Sequence, residues 1–379
     1  MAAIPELKAP KSMNCGEAAT DFRHFVKPIG TVRAVMIFVG FPDAPGVADP
    51  AKVADDLLGK GDFARLYREQ SSGNLGIDVK VMSGLGWRRL AKRSKEFGTV
   101  GSGGTVTFDT SAQHQRYIAE AVAAFTPAEV RLADFDMVFV VAPEEAAFRN
   151  SPAFPVTKGN GVKVGNKEIR AAVTLGRDSY KNSFINLVHE VGHLFGLPDL
   201  YPGGLGAEES FAGCWGIMSD IFRASGFLGW HRHKNGWLAA SRKTYVNASG
   251  TKTFTLTPFT ESSGVSMLVF PVDNASKPSK VFVVEVAQPT HGFRDGKAGK
   301  QGVLLYTVDA LKESGESPVE VLPLTPGHDD NFGNLFQAPF GTGDDSGTRT
   351  VRGGGASIRL NVLRKSGAGF DVEVTYTKP

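Results

Sequence analysis

Residues 189–199 read His-Glu-Val-Gly-His-Leu-Phe-Gly-Leu-Pro-Asp, and no other stretch limits the possible fold so tightly. His189 and His193 are four apart, so on a helix both imidazoles leave one face about a turn apart. Two imidazoles so placed can share one Zn²⁺ at roughly 2.0–2.1 Å. Glu190 follows the first of them and can act as general base on a water at the metal. Gly196 accepts a left-handed backbone and can end the helix three residues after His193. The chain can then double back and offer Asp199 as a third ligand. Three protein ligands with a fourth position left to water are the pattern of a catalytic zinc site; structural sites are closed.

The helix has its own reason to be buried. Phe184, Val188, Val191 and Phe195 recur at the spacing of one apolar stripe, and Asn182 or Ser183 can cap its start. The bland alternative is a packed helix that happens to carry two histidines. The extension to Gly196 and Asp199 argues against it.

A chain of 379 residues with 41% hydrophobic and 21% charged side chains fits a globular protein with a sizeable core, as two closely packed domains. The formal net charge is only +3, with Lys and Arg scattered among nearly as many Asp and Glu, which gives no case for a nucleic-acid partner. No run approaches the roughly 18 apolar residues that span a bilayer.

Along the chain, residues 1–30 read as an irregular, Pro-punctuated arm. Thr31–Val39, Ile77–Val81, Phe135–Val141 and Ile169–Leu175 read as strands, with helices over Pro50–Gln70 and His114–Phe125 between them. Gly98–Gly104 has neither the spacing nor the lysine of a phosphate loop and reads as a flexible connection. Beyond residue 240 the texture changes to short strand-like runs at Thr253–Leu256, Val265–Val272, Lys280–Val286, Val303–Val308, Ser357–Leu363 and Phe370–Thr375. The expected organisation is an arm (1–30), a domain with a mixed sheet and helices (31–240, upper part to 199 and lower part 200–240), and an all-β sandwich-like domain (241–379).

The metal motif with Asp as third ligand resembles the metzincin type of zincin, which also places a methionine turn beneath the metal. Cys214-Trp-Gly-Ile-Met-Ser-Asp looks like that turn, with Met218 as its methionine. Val39-Gly-Phe-Pro-Asp, Leu66-Tyr-Arg-Glu-Gln-Ser-Ser-Gly-Asn-Leu, Asp134-Phe-Asp-Met-Val-Phe-Val-Val, Gly236-Trp and Gly302-Val-Leu-Leu-Tyr-Thr-Val-Asp resemble the immune inhibitor A family of secreted bacterial metalloproteases. The likeness covers roughly residues 30–310. It implies an α+β zincin catalytic domain followed by a β-rich domain, and an extracellular zinc endopeptidase acting on protein or peptide substrates. His189, His193 and Asp199 would be its ligands, Glu190 its base and one Zn²⁺ its cofactor. Met1-Ala-Ala-Ile-Pro-Glu-Leu-Lys carries no charged-then-apolar leader, so the chain is either cytosolic or the mature part of a secreted protein whose leader is absent from this sequence. The protease resemblance favours the second, as a monomer. The competing readings are a catalytically silent binding or adhesion protein on the same scaffold, and a zinc hydrolase of something other than peptides.

Other candidates are weaker. Tyr201, His231 and His233 can donate to a developing oxyanion or touch substrate, although a solvated helix face explains the two histidines as well. Cys15 and Cys214 can form one bridge, stand as two thiols, or leave Cys15 to block the zinc. Asp329, Asp330, Asp344 and Asp345 cluster oxygen ligands that suit Ca²⁺, without matching the twelve-residue calcium loop; solvated turns are the plainer reading.

Overall fold

The computed structural model describes residues 3–10, 16–165, 167–201, 211–223, 226–288, 301–323, 335–341 and 348–379. These residues divide into two units. The first holds Asp21–Glu69 and Gly73–Gly196; the second holds Met1–Thr20, Gln70–Ser72 and Leu197–Pro379.

In the first unit the chain runs β1 (Gly30–Gly40), α1 (Pro50–Leu57), α2 (Asp62–Gln70), β2 (Leu75–Val81) and β3 (Arg88–Arg89). Next come β4 (Thr99–Val100), β5 (Val106–Thr107), α3 (Ser111–Ala123), β6 (Met137–Val141), β7 (Ala153–Pro155), β8 (Val162–Val164) and β9 (Lys167–Ile169). The unit closes with β10 (Ala171–Leu175), α4 (Arg177–Asn182) and α5 (Phe184–Leu194). The main sheet is ordered β2-β1-β6-β10-β7, with β3 pairing the end of β1. All its pairs are parallel except β10–β7.

β6 and β10 are buried at every position, and β1 from Ala34 onward, which is why they read as continuous apolar runs. Alternate residues serve the two faces. Val138 and Val140 share a core with Tyr117 and Ile118 of α3, while Phe139 meets Phe63 of α2 edge-on, ring centroids 6.1 Å apart. Helices therefore cover both faces of the sheet.

One local reading is refined and another corrected. The helical region read over Pro50–Gln70 holds two helices, because Gly59, Lys60 and Gly61 all have positive φ (58°, 53° and 104°) and no helix continues through such a run. Asp49 caps α1 by accepting from the Ala51 amide, with Pro50 at the first turn. The glycine-rich Gly98–Gly104 segment is not a loose connection: Thr99–Val100 pairs antiparallel with Val106–Thr107.

The second unit contains α6 (Gly229–Lys234) and strands β11 (Lys243–Tyr245), β12 (Gly250–Leu256), β13 (Met267–Pro271), β14 (Lys280–Ala287) and β15 (Gly302–Asp309). β16 (Val319–Val321), β17 (Thr348–Gly353), β18 (Ala356–Ser366) and β19 (Gly369–Thr377) complete it. One sheet is ordered β11-β13-β14-β15-β16 and the other β12-β19-β18-β17. Phe270, Phe282, Val284 and Leu305 of the first share one core with Ile358, Leu360, Val372 and Val374 of the second. β18 alternates buried and more open residues, as a strand with one inward face must.

The boundary falls at 196/197 and not at 240/241. The reason is polar and buried. Glu285 on β14 accepts from the Gly229 amide (3.0 Å), the Tyr306 hydroxyl of β15 accepts from the Trp230 amide (3.1 Å), and the Arg232 guanidinium lies 3.5 Å over the Phe259 ring. Within the N-terminal arm, residues 3–10 and 16–20 form no regular helix or strand yet are packed in part. Leu7 and Glu17 are buried, and the Lys8 amide donates to the Pro278 carbonyl.

Candidate metal centre

α5 begins at Ser183, which takes a positive φ (55°) and makes no side-chain cap; its hydroxyl donates instead to the Asp56 carbonyl. The expected stripe is buried, but so is nearly everything else on the helix. Of eleven residues, nine are buried, including Asn186 and His189. The two that are not are Glu190 and His193. A helix packed on almost all sides thus opens only at the positions of the expected base and the second histidine.

The His189 and His193 rings stand nearly perpendicular (89°), and their Nε2 atoms converge to 3.1 Å. Two nitrogens on one tetrahedral zinc at roughly 2.0–2.1 Å would be about 3.3 Å apart, so the pair suits a shared metal. Past Leu194, the Phe195 amide still reaches the Val191 carbonyl, and the Val26 amide donates to the Leu194 carbonyl. Gly196 then takes φ +84°, the left-handed turn the sequence called for. Three residues on, Asp199 joins the histidines: one ligand atom from each of the three lies within 4.8 Å of the others. All three come from eleven consecutive residues, so the local path of the chain sets the grouping. It is the sole such group of three or more His, Cys, Asp or Glu among the described residues.

Glu190 is held. Its Oε2 accepts from the Ala153 amide of β7 at 2.8 Å. The start of that strand is fixed in turn by a buried hydroxyl cluster. Ser151 Oγ bonds the Asp178 carboxylate, lies 2.7 Å from Ser179 Oγ and accepts from the Gly176 amide. Asn186 Nδ2 of α5 donates to Ser179 Oγ at 3.1 Å. Sequence reasoning missed these residues. The one available signal was Asn186, a polar side chain inside an apolar helical run.

Met218 is fully buried in a turn where the Ser219 and Asp220 amides both donate to the Gly216 carbonyl. Its own carbonyl accepts from the Leu200 amide, next to Asp199. Tyr201 is partly buried. His231 is neither a solvated residue nor open to a substrate: it is fully buried, with Nε2 2.8 Å from Glu17 Oε1. Burial on its own raises the Glu17 carboxyl, but His231, the Lys234 cation and the Trp230 side chain together hold it below the ordinary range. His233 Nδ1 lies 2.8 Å from Lys243 Nζ; burial, reinforced by that cation, lowers it to about 3, so the neutral ring accepts from Lys243 through Nδ1 and keeps Nε2 as its donor. Cys214 is buried. Cys15, Asp329, Asp330, Asp344 and Asp345 lie outside the described residues, and with them the disulfide and calcium readings.

No protein-family model matches the chain, and no curated protein matches it significantly. Among the described residues no helix is long and apolar enough to cross a membrane.

Proposed function

We propose that the chain is a zinc-dependent endopeptidase, with His189, His193 and Asp199 as ligands and Glu190 as general base. The observation that carries this reading is the convergence of those three ligand groups beside the two open positions of an otherwise buried helix. The donor set of two imidazoles and one carboxylate suits zinc and leaves room for a further ligand. Bound there, zinc supplies Lewis acidity, which makes water more acidic and polarises a carbonyl.

The chain's own part is to place the proton acceptor. Glu190 takes a proton from the attacking water and returns it to the leaving amine. The Ala153 amide, bonded to one of its oxygens, restrains the carboxylate while that happens. The accompanying fold reading is a zincin-type α+β catalytic region followed by an all-β region, in an extracellular protein of the immune inhibitor A kind.

Metal content measured by elemental analysis, paired with casein hydrolysis with and without 1,10-phenanthroline, tests the proposal. About one zinc per chain and chelator-sensitive cleavage are expected. Zinc without cleavage would favour the silent binding protein; a chain without zinc would end the reading.

A further inference from the structure

Resting on that zinc reading, we infer that Ser314, 115 residues away in sequence, is the positioning residue for the third ligand. Asp199 is bonded three times by the dipeptide Ser314-Gly315. The Ser314 hydroxyl donates to Asp199 Oδ2 (3.2 Å) and accepts from the Asp199 amide (2.9 Å). The Gly315 amide donates to the Asp199 carbonyl (3.3 Å). One hydroxyl therefore grips both the main chain and the carboxylate of the same residue. That restrains rotation about the carboxylate's own bonds, which is what a metal ligand on an irregular segment lacks and a ligand on a helix already has.

The loop that supplies the grip is itself braced. The Glu313 amide donates to the Glu316 carboxylate (2.8 Å), and the Glu316 amide to the Glu313 carbonyl (3.0 Å). Lys312 Nζ reaches the Ser317 carbonyl (3.4 Å). Glu313 also forms an antiparallel bridge with Gly16, whose carbonyl accepts from Lys234 Nζ and whose neighbour Glu17 is the buried partner of His231. The path from the N-terminal segment to Asp199 is thus continuous: Gly16 bridges Glu313, and the adjoining Ser314 holds the ligand. Outer partners of this kind orient a ligand and tune metal affinity, and their loss costs about 10- to 100-fold in binding.

The test is zinc affinity of the full chain, by competition with a chromophoric chelator, for the wild type, Ser314→Ala, Ser314→Thr and Asp199→Ala. Ser314→Ala should bind zinc about 10-fold or more weakly, with the melting temperature of the metal-free protein unchanged. Ser314→Thr, which keeps the hydroxyl, should restore wild-type affinity, and Asp199→Ala should lose more than Ser314→Ala. Absorption of the cobalt-loaded proteins gives a second readout, since a loosened carboxylate alters the visible bands. Wild-type zinc binding with Ser314→Ala within twofold of it would overturn this inference and leave the zinc reading intact. A wild type that binds no zinc would overturn both.

Discussion

The Tyr67 hydroxyl donates to the Val188 carbonyl at 2.7 Å, so a fully buried side chain of α2 bonds the backbone of α5 one residue before His189. The same ring meets Phe63 and Phe195 edge-on, with centroids 5.5 Å away in each case. Tyr67→Phe keeps the ring contacts and removes only the hydroxyl. It should cost about 1 kcal/mol of stability, read as a shift in the urea midpoint at constant slope. An unshifted midpoint would mean that the bond contributes nothing.

Glu190→Gln isolates proton transfer from placement. The amide oxygen can still accept from Ala153, so the side chain should stay where the carboxylate was. We expect the variant to retain zinc and to lose roughly 10²- to 10⁴-fold in peptide hydrolysis, the usual worth of a general base. Full activity in the zinc-loaded variant would remove Glu190 from the chemistry.

His114 should make the protein acid-sensitive. It is 5% exposed, with Nε2 2.8 Å from Thr174 Oγ1 and its ring stacked on Phe108, and burial lowers it to about 3. From about pH 6.5 down to about pH 3 the unfolded chain binds a proton here that the folded chain refuses. The stability this neutral histidine contributes is therefore complete above the unfolded value and is lost as pH falls, by about 1.4 kcal/mol per unit. Denaturation of wild type and His114→Gln at pH 7, 6 and 5 should show a shallower decline in the variant. Parallel declines would contradict the assignment.

Gly196→Ala tests the turn between the histidines and Asp199. A side chain at φ +84° costs about 1–2 kcal/mol, which the chain can relieve only by moving the turn. Lower thermal stability of the metal-free protein should therefore come with weaker zinc binding. Loss of stability with unchanged affinity would show that the turn and the ligand are uncoupled.

What the sequence revealed was local or periodic. The spacing of His189, His193 and Gly196 specified a helix and its left-handed stop. The apolar runs of β1, β6 and β10 announced strands. The break at Gly59–Gly61 escaped notice because the apolar residues on either side kept helical spacing. The grouping of residues 197–240 with the β strands depends on single bonds over long separations, such as Gly229 to Glu285. The partners of His231 and Asp199 were hidden for the same reason: Glu17 and Ser314 are ordinary residues in irregular segments, 214 and 115 positions away.

With only Glu190 and His193 partly exposed, α5 has little freedom to accept substitutions. A change at Ile185, Leu187, Val188, Val191 or Leu194 must fit the surrounding side chains, and a change at the two open positions meets the chemistry instead. A mutational scan of residues 184–194 should therefore find almost no silent position. As sequences of this kind diverge, this segment should remain readable after the rest of the chain has changed beyond comparison.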